Sequence, residues 1–427
     1  MGELIGQQMY QWATQLFPLN RSLTGKGVRM TLEFIKKELP ELQIHEVPSG
    51  TQAFDWTVPK EWSMNAGYIA DLSGTRLIDF ENNNLHVVGY STPIDKVVTK
   101  DELAAHLHTL PDQPDAIPYI TSYYKKNFGF CLTEIQRKSM GEGPFHIYID
   151  SQLFDGNMTY AELFIPGETE EEILFSTYVC HPSMANNELS GPVVAVALAK
   201  HIESLEERHF SYRFIFTVEN IGATYYISRH LAHMRDHIKA GWVLGCIGDD
   251  RTFSYVPTRF GNTYTDSISR RVLQDLSENF TEYKWLDGGS DERRYNSPGV
   301  ELPIGSLMRS MYGQYPEYHT SLDNLEVISP AGLQGGLTML IDAVQILETN
   351  FYWRIKTKCE PQLGKRGLYP NTSTKSSGAE VRNLMNVVSF LDGSLSVLAI
   401  AEKCEMRYSE VIEILEKLIK ADLVGKV

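Results

Sequence analysis

The sequence predicts an α/β fold: a mixed, largely parallel sheet flanked by helices, carrying an inserted β-rich subdomain and a C-terminal winged helix-turn-helix. Three observations lead there. From about residue 171, apolar strand-like runs alternate with helical patterns, as in a largely parallel sheet. Before that, residues 45–165 are a succession of short strand-like pieces, dense in prolines and aromatics. After Trp353 the chain turns polar, then resumes as a short helical run ending in a strand.

Taken in order, residues 4–42 read as helices. Met30, Leu32, Phe34, Ile35 and Leu39 recur at helical spacing, and Pro40 closes the run. The polar loop Asn20-Arg21-Ser22-Leu23-Thr24-Gly25 precedes them. Next, HEVPSG, AFDWTVPKEW, RLIDF, LHVVGYS, FHIYID and AELFIPG read as strands, with Lys100–Thr109 as the good helix among them. The run IPYITSYYKKNFGF, 117–130, reads either as a packed aromatic corner or as a loop that closes over a substrate. Then EILFSTYV, YRFIFTV, AGWVLGCIG and VELPIGSLM are strands, and Gly191–Ser204, Ala223–His230, Asp266–Leu276 and Leu333–Asn350 are helices. The stretch KRGLYPNTSTKSSGAE is a linker or long loop. Helix Leu395–Cys404, a turn and helix Ser409–Ala421 have the rhythm of a winged helix. The second of these sets Glu410, Glu413, Glu416 and Asp422 against Lys417 and Lys420. That balance suits phosphates poorly and favours a docking or dimer role over DNA binding. The expected domains are 1–45 with 160–358, an insert at 46–159, and 375–427.

The bulk numbers narrow the function classes. A chain of 427 residues can hold two or three domains. The net charge of −15 disfavours nonspecific contact with nucleic acid or an anionic membrane. No apolar run approaches the roughly 20 residues that span a bilayer. The N-terminus lacks the basic start and apolar core of a signal peptide, and Gly6 misses the myristoylation pattern. The five cysteines are scattered, with no C-x-x-C pair, which argues against a disulfide framework or a thiolate zinc site. A cytoplasmic protein is expected, with homo-oligomerisation left open.

Candidate chemistry gathers where strands end, which is where ligands bind in such sheets. His181 follows the first strand, with Asn186, Asn187, Glu188 and Ser190 at the next helix start. It is either a satisfied core histidine or a metal ligand sharing an ion with nearby oxygens. Glu219 ends the second strand, as a general base or as a helix N-terminal acid favoured by the dipole. Asp249 and Asp250 read as a turn. Asp291 lies in the Gly-hinged loop GGSDERRY, and His319 in YPEYHTSLDN, where Asp323 can orient the imidazole or cap the next helix. As a set, His181, Glu219, Asp291 and His319 suggest a metal-assisted hydrolase.

The pieces CHPSMANNELSG, YRFIFTVENIG, SDERRY with SPGVELPIG, and YHTSLDN resemble the zinc aminopeptidases related to bacterial leucyl aminopeptidases and glutaminyl cyclases. Over nearly the full length, RSLTGKGVR, HEVPSGTQAFDWTVPKEW, NLHVVGYS, IPYITSYYKKNFGFC and YPEYHTSLDN resemble a bacterial aminopeptidase-like family with a β-rich insert and a C-terminal winged helix. The resemblance implies His181 and His319 as metal ligands, Glu219 as general base and Asp291 beside the base or the metal. It also implies departures. Asn187 stands where the family has a ligand Asp, with Glu188 as the alternative ligand. Asn220 stands where the aminopeptidases have a second Glu, and the acid after the third strand is missing near Gly245 or Cys246. A dinuclear centre is therefore disfavoured, and one zinc ion on His181, His319 and Asn187 is expected. Tyr123, Tyr124 and Arg294 are candidate pocket residues. The expected activity is hydrolysis of a small amino-acyl or peptide-like amide. The alternatives are glutaminyl-cyclase-like acyl transfer, or a non-catalytic protein that senses a ligand or binds DNA or a partner through the winged helix.

Overall fold

The computed structural model describes residues 2–123, 125–368 and 375–427. The chain divides into two units, Met1–Asp266 with Asn279–Thr338, and Ser267–Glu278 with Met339–Val427.

The first unit is built on an eight-stranded mixed sheet. Its strands are β1 (Gln43–Pro48), β2 (Asn157–Ile165), β3 (Glu172–Tyr178), β4 (Ser211–Thr217), β5 (Ile238–Leu244), β6 (Ser254–Val256), β7 (Thr281–Glu282) and β8 (Ile304–Met308), in the order β1-β2-β4-β3-β5-β8-β6-β7. The four central strands β4, β3, β5 and β8 are parallel. Their continuous apolar composition follows from burial on both faces: all seven residues of β3 are buried. The helices are α1 (Gly2–Leu16), α2 (Lys26–Glu38), α3 (Ser190–Glu203) and α4 (Ile221–His237). Helix α2 buries Val28, Leu32 and Ile35 on one face and ends in Lys36 and Lys37, which complement its dipole. Helix α3 follows β3 and is buried along almost its whole length. Gly191 in its first turn is required by space, because a Cβ there would lie 2.4 Å from the Leu244 carbonyl oxygen.

The predicted strands and helices from 171 onward are all present, with ends shifted by a few residues. Two details differ in the insert. β1 and β2 pair with each other, Gln43 opposite Glu162, and β2 pairs with β4, so both belong to the main sheet and not to the insert. The insert's own core is a four-stranded antiparallel sheet of Arg76–Asp79, Glu61–Ala70, Phe145–Phe154 and Ile94–Val98, packed around Ile69, Phe130, Phe145, Ile147 and Ile149. The expected helix at 100–109 is only Lys100–Ala104, held by a Thr99/Glu102 capping box. A second short helix, Glu134–Ser139, has the same kind of cap from Thr133 and Gln136.

In the second unit, helices Lys375–Ser389, Val397–Cys404 and Tyr408–Lys420 accompany a three-stranded antiparallel sheet. Its middle strand is Tyr352–Ile355, flanked by Asp392–Ser396 and Val424–Lys426. The sequence reading kept 352–355 with the first domain and began the helix at Leu395, inside what is the second strand. Both differences have one cause: four- and five-residue strands are too short to show a period. Among the described residues no helix is long and apolar enough to cross a membrane.

Candidate active site

Three strand ends and two loops converge in the first unit. β3 delivers Cys180 and His181. The next residues wind into a π-helical turn, Ala185–Leu189, fully buried, before α3 begins. Single π turns are frequent at functional sites. Asp323 holds the start of this turn: its carboxylate accepts the amides of Asn186 (2.7 Å) and Asn187 (2.9 Å), together with the Tyr315 hydroxyl (3.0 Å). Asp323 thus caps this turn, and neither the His319 ring nor the following helix. Burial raises its carboxyl to about 6.

The turn decides where Glu188 goes. Its Oε2 lies 2.7 Å from His181 Nδ1, and Glu188 is fully buried. The carboxylate therefore stands at the Nδ1 side of the imidazole and leaves Nε2 toward Glu219, 3.7 Å from its Oε2, so the expectation of Glu188 as an alternative ligand gives way to a supporting position. Cys180, His181 and Glu188 could also hold a cation among themselves, their ligand atoms lying within 4.8 Å of one another. Two facts oppose that. The Arg21 guanidinium sits 3.8 Å from Glu188 Oε1, and burial pushes the Cys180 thiol up to about 11.

His319 comes alongside His181 from the 315–324 loop. Its φ of +55° is a left-handed conformation that a non-glycine residue rarely adopts. Its ring centroid is 5.3 Å from that of His181. The Nε2 atom is buried without a hydrogen-bond partner. Burial, assisted by the charge of His181, pulls its pKa down to about 3, so the ring is neutral at pH 7. Asn187 Nδ2 is likewise buried and unpartnered. Each such atom costs about 1–3 kcal/mol if nothing satisfies it.

Glu219 ends β4. Its Oε1 accepts the Ser290 hydroxyl at 2.6 Å, and its Oε2 lies 3.7 Å from His181 Nε2. The next residue, Asn220, is strained: φ is +64° and ψ −76°, and the Ile221 amide bonds back to the Glu219 carbonyl at 2.8 Å, closing a γ-turn of the rarer kind. Asp291 Oδ1 accepts the Asn220 amide at 2.7 Å, while its Oδ2 is buried and unpartnered. Burial first, then the charge of Glu219, pushes Asp291 well above the usual carboxylate range. Arg294 clamps Asn220 Oδ1 through Nε and Nη2 at 3.0 and 2.8 Å. The position after β5 is filled by Cys246, left-handed at φ +50°, with its sulfur 3.8 Å from the Tyr315 hydroxyl.

The predicted residues do not all meet here. His181, Glu188, Glu219, Asp291 and His319 form one cluster, and Asn187 is buried in the adjoining π-helical turn. Arg294 touches it through Asn220 and lines a neighbouring cavity of about 400 Å³ with Phe54, Trp56, Thr224 and Ile227. Tyr123 rests against Tyr90, ring centroids 6.0 Å apart. Tyr124 lies outside the described residues.

The aromatic run does cover the site, but through Tyr119. Its ring is 5.2 Å from both histidine rings, and its amide donates to the His319 carbonyl at 2.9 Å. Ile117 and Ser321 exchange two further bonds that fasten this segment to the His319 loop. Sequence reasoning also missed Arg21, Ser290 and Glu292. Buried Glu292 accepts the Ser290 amide (3.0 Å) and the Tyr312 hydroxyl (2.7 Å), and so fixes the serine that holds Glu219. All three lie in motifs quoted for other residues, RSLTG and GGSDE.

Residues 10–350 match a family described as a domain of unknown function, DUF4910, and residues 350–426 match a winged helix-turn-helix family. A Clostridium acetobutylicum protein, named for polysaccharide biosynthesis and an aminopeptidase-like domain, is 42% identical over 421 residues, 98% of this chain and 96% of its own. A crystal structure from the same organism, named as a peptidase, superposes with TM-score 0.93 at 41% identity, covering 100% of this chain and 97% of the other. BSAP, a zinc aminopeptidase from Bacillus subtilis, shares the fold at TM-score 0.58 and 13% identity, over 80% of this chain and 94% of its own.

The residues fit one zinc ion and not two. The His181 and His319 rings lie 5.3 Å apart, the neutral His319 ring has its buried Nε2 unpartnered, and Asn187, with its Nδ2 also unpartnered, stands in the turn that follows His181. Three protein ligands with an open position are what a catalytic zinc site uses. Asn220 and Cys246 offer no carboxylate to a second ion, and Asn220 Oδ1 is already taken by Arg294.

Proposed function

Since the chain belongs to the DUF4910 family and has an aminopeptidase-like fold, we propose that it is a metal-dependent amide hydrolase holding one zinc ion on His181, His319 and Asn187. The observation that carries this reading is the buried, unpartnered Nε2 of His319 beside the His181 ring. When bound there, zinc supplies a Lewis acid for a carbonyl oxygen and lowers the pKa of water.

The chain's own groups support the remaining roles. Glu219 is the general base: Ser290 fixes one oxygen and leaves Oε2 to take a proton from the attacking water and pass it to the leaving amine. Asp291 holds the Asn220 amide and so fixes the turn that aims Glu219. Tyr119 lies over the histidines and limits access of bulk water. The Arg294 cavity, with Trp56 5.0 Å from the guanidinium, suits the remote part of a small amino-acyl or peptide-like substrate. The relative named for polysaccharide biosynthesis makes amino-acylated sugars a sensible first substrate class.

A second reading, ligand sensing without turnover, draws on the two amides Asn187 and Asn220 at carboxylate positions. The winged helix then serves docking. Helix Tyr408–Lys420 exposes Glu410, Glu413 and Glu416 against Lys417 and Lys420, a better match to a protein than to phosphates.

The test is release of free amine from amino-acyl amides and amino-acylated amino sugars by zinc-loaded protein. Turnover that falls at least 100-fold in Glu219→Gln, with zinc content unchanged, is expected. No turnover on these substrates, with ligand binding retained, would favour the second reading.

A further inference from the structure

The RSLTG loop between α1 and α2 has no role in the proposal above, yet it enters the site. Arg21 is 1% exposed. Its Nη1 donates to the Leu16 carbonyl at 2.7 Å, and its Nε donates to the carbonyl of His181 itself at 2.9 Å. The same Nε is 3.8 Å from Glu188 Oε1, and both side chains are fully buried. Glu188 Oε2 in turn meets His181 Nδ1 at 2.7 Å.

The chemistry of this chain of contacts has one direction. A carboxylate only accepts, so His181 Nδ1 must carry the proton of this contact, and Nε2 is the nitrogen left to hold an ion. An ionised carboxylate with no exposed surface requires a compensating charge, and Arg21 supplies it. Arg21 also fixes the His181 backbone directly, so it constrains both the peptide and the ring. The loop's other end is anchored in the insert. Thr24 Oγ1 meets the Tyr90 hydroxyl at 2.6 Å and accepts the Trp62 amide at 3.1 Å. Gly25, at φ +101°, passes so close to the insert that a Cβ would lie 2.6 Å from the Trp62 carbonyl oxygen.

We propose that Arg21 is a positioning residue for the metal-binding histidine: through Glu188 it sets the Nδ1–H tautomer of His181 and turns Nε2 toward the ion, from a loop fastened to the insert. This rests on the single-ion reading above, and the experiment separates the two. Zinc affinity is measured by chelator competition for the full chain and for Arg21→Met, Arg21→Lys and Glu188→Gln, with melting followed in parallel. Arg21→Met and Glu188→Gln are expected to weaken zinc binding about 10–100-fold, and Arg21→Lys to recover most of the loss. A destabilised chain with an intact site, Asp249→Ala, is expected to melt earlier at unchanged affinity.

Nitrogen-15 spectra of the His181 ring in the metal-free protein give a second readout that needs neither zinc nor turnover. Nδ1 is expected to be protonated in the wild type, and Arg21→Met or Glu188→Gln to give a mixture of tautomers. Wild-type affinity in both of those variants, or an unchanged tautomer in either, overturns the role of Arg21 and leaves the ion site standing. A wild type that binds no zinc, with the tautomer dependence intact, overturns the single-ion reading and leaves the positioning role.

Discussion

Two buried polar clusters lie at the carboxyl ends of the same parallel strands, and they are finished differently. In the first, Asp249 accepts from Asn186 Nδ2, the Arg251 amide, and both the amide and hydroxyl of Ser310, at 2.8–3.0 Å. Asn186 Oδ1 accepts the Gly248 amide, and Ser190 bonds the Asn186 carbonyl. In the second, His319 Nε2, Asn187 Nδ2 and Asp291 Oδ2 are buried and unpartnered. Ser183, Asn220 and His319, in or near the second cluster, have left-handed φ values, as does Cys246, whose amide bonds the Asn186 carbonyl of the first. Saturated polar groups tie strand ends together; unsaturated ones on a strained backbone are poised for something else. Sequence reads Asp249 as a turn residue and Asp291 as a site residue, and the hydrogen bonds supply the physical reason for the difference.

The widest separation between the clusters is expected from Glu219→Gln. It should lower turnover by about 10²–10⁴-fold with little change in melting, as steady-state kinetics beside calorimetry will show. Asp249→Ala should do the reverse. It strands several buried donors and is expected to destabilise the chain by about 3–5 kcal/mol, read by denaturant unfolding, while zinc content holds.

The pH dependence is smaller. The folded pKa of His319 is about 3, below its ordinary value near 6.5. The unfolded chain therefore binds this proton first, and stability of the metal-free protein falls as pH drops from 6.5 toward 3. The loss by pH 5 is about 2 kcal/mol, and His319→Phe should remove that contribution. Asn220→Gly should be the mildest change. Glycine adopts positive φ at little steric cost, so relief of strain adds about 1 kcal/mol of stability. Turnover should fall as the turn behind Glu219 loosens.

Much of this was legible beforehand. Apolar runs with helical patterns between them locate β3, β4, β5 and β8, and residues just past their ends are candidates by position alone. His181 and Glu219 are candidates of that kind, whereas Asp291 and His319 stand out in the loops GGSDERRY and YPEYHTSLDN. The face that Glu188 presents was not legible, because a π turn adds a residue and rotates the position in a way no helical period reveals. Arg21 was not, because its partners in the site, His181 and Glu188, lie 160 or more residues away in the chain. In the aromatic run the sequence points to Tyr123 and Tyr124 and passes over Tyr119, which the strand-like bridge from Pro118 to Thr320 brings to the histidines.

The most direct test of the central claim is elemental analysis of protein purified without chelator or affinity metal, with His319→Ala and Asn187→Asp alongside. One zinc per chain in the wild type, none in His319→Ala and tighter retention in Asn187→Asp is the expected result. A wild type without metal that gains zinc only as Asn187→Asp would contradict it, and would mean that the amide in the 185–189 turn has disabled the site.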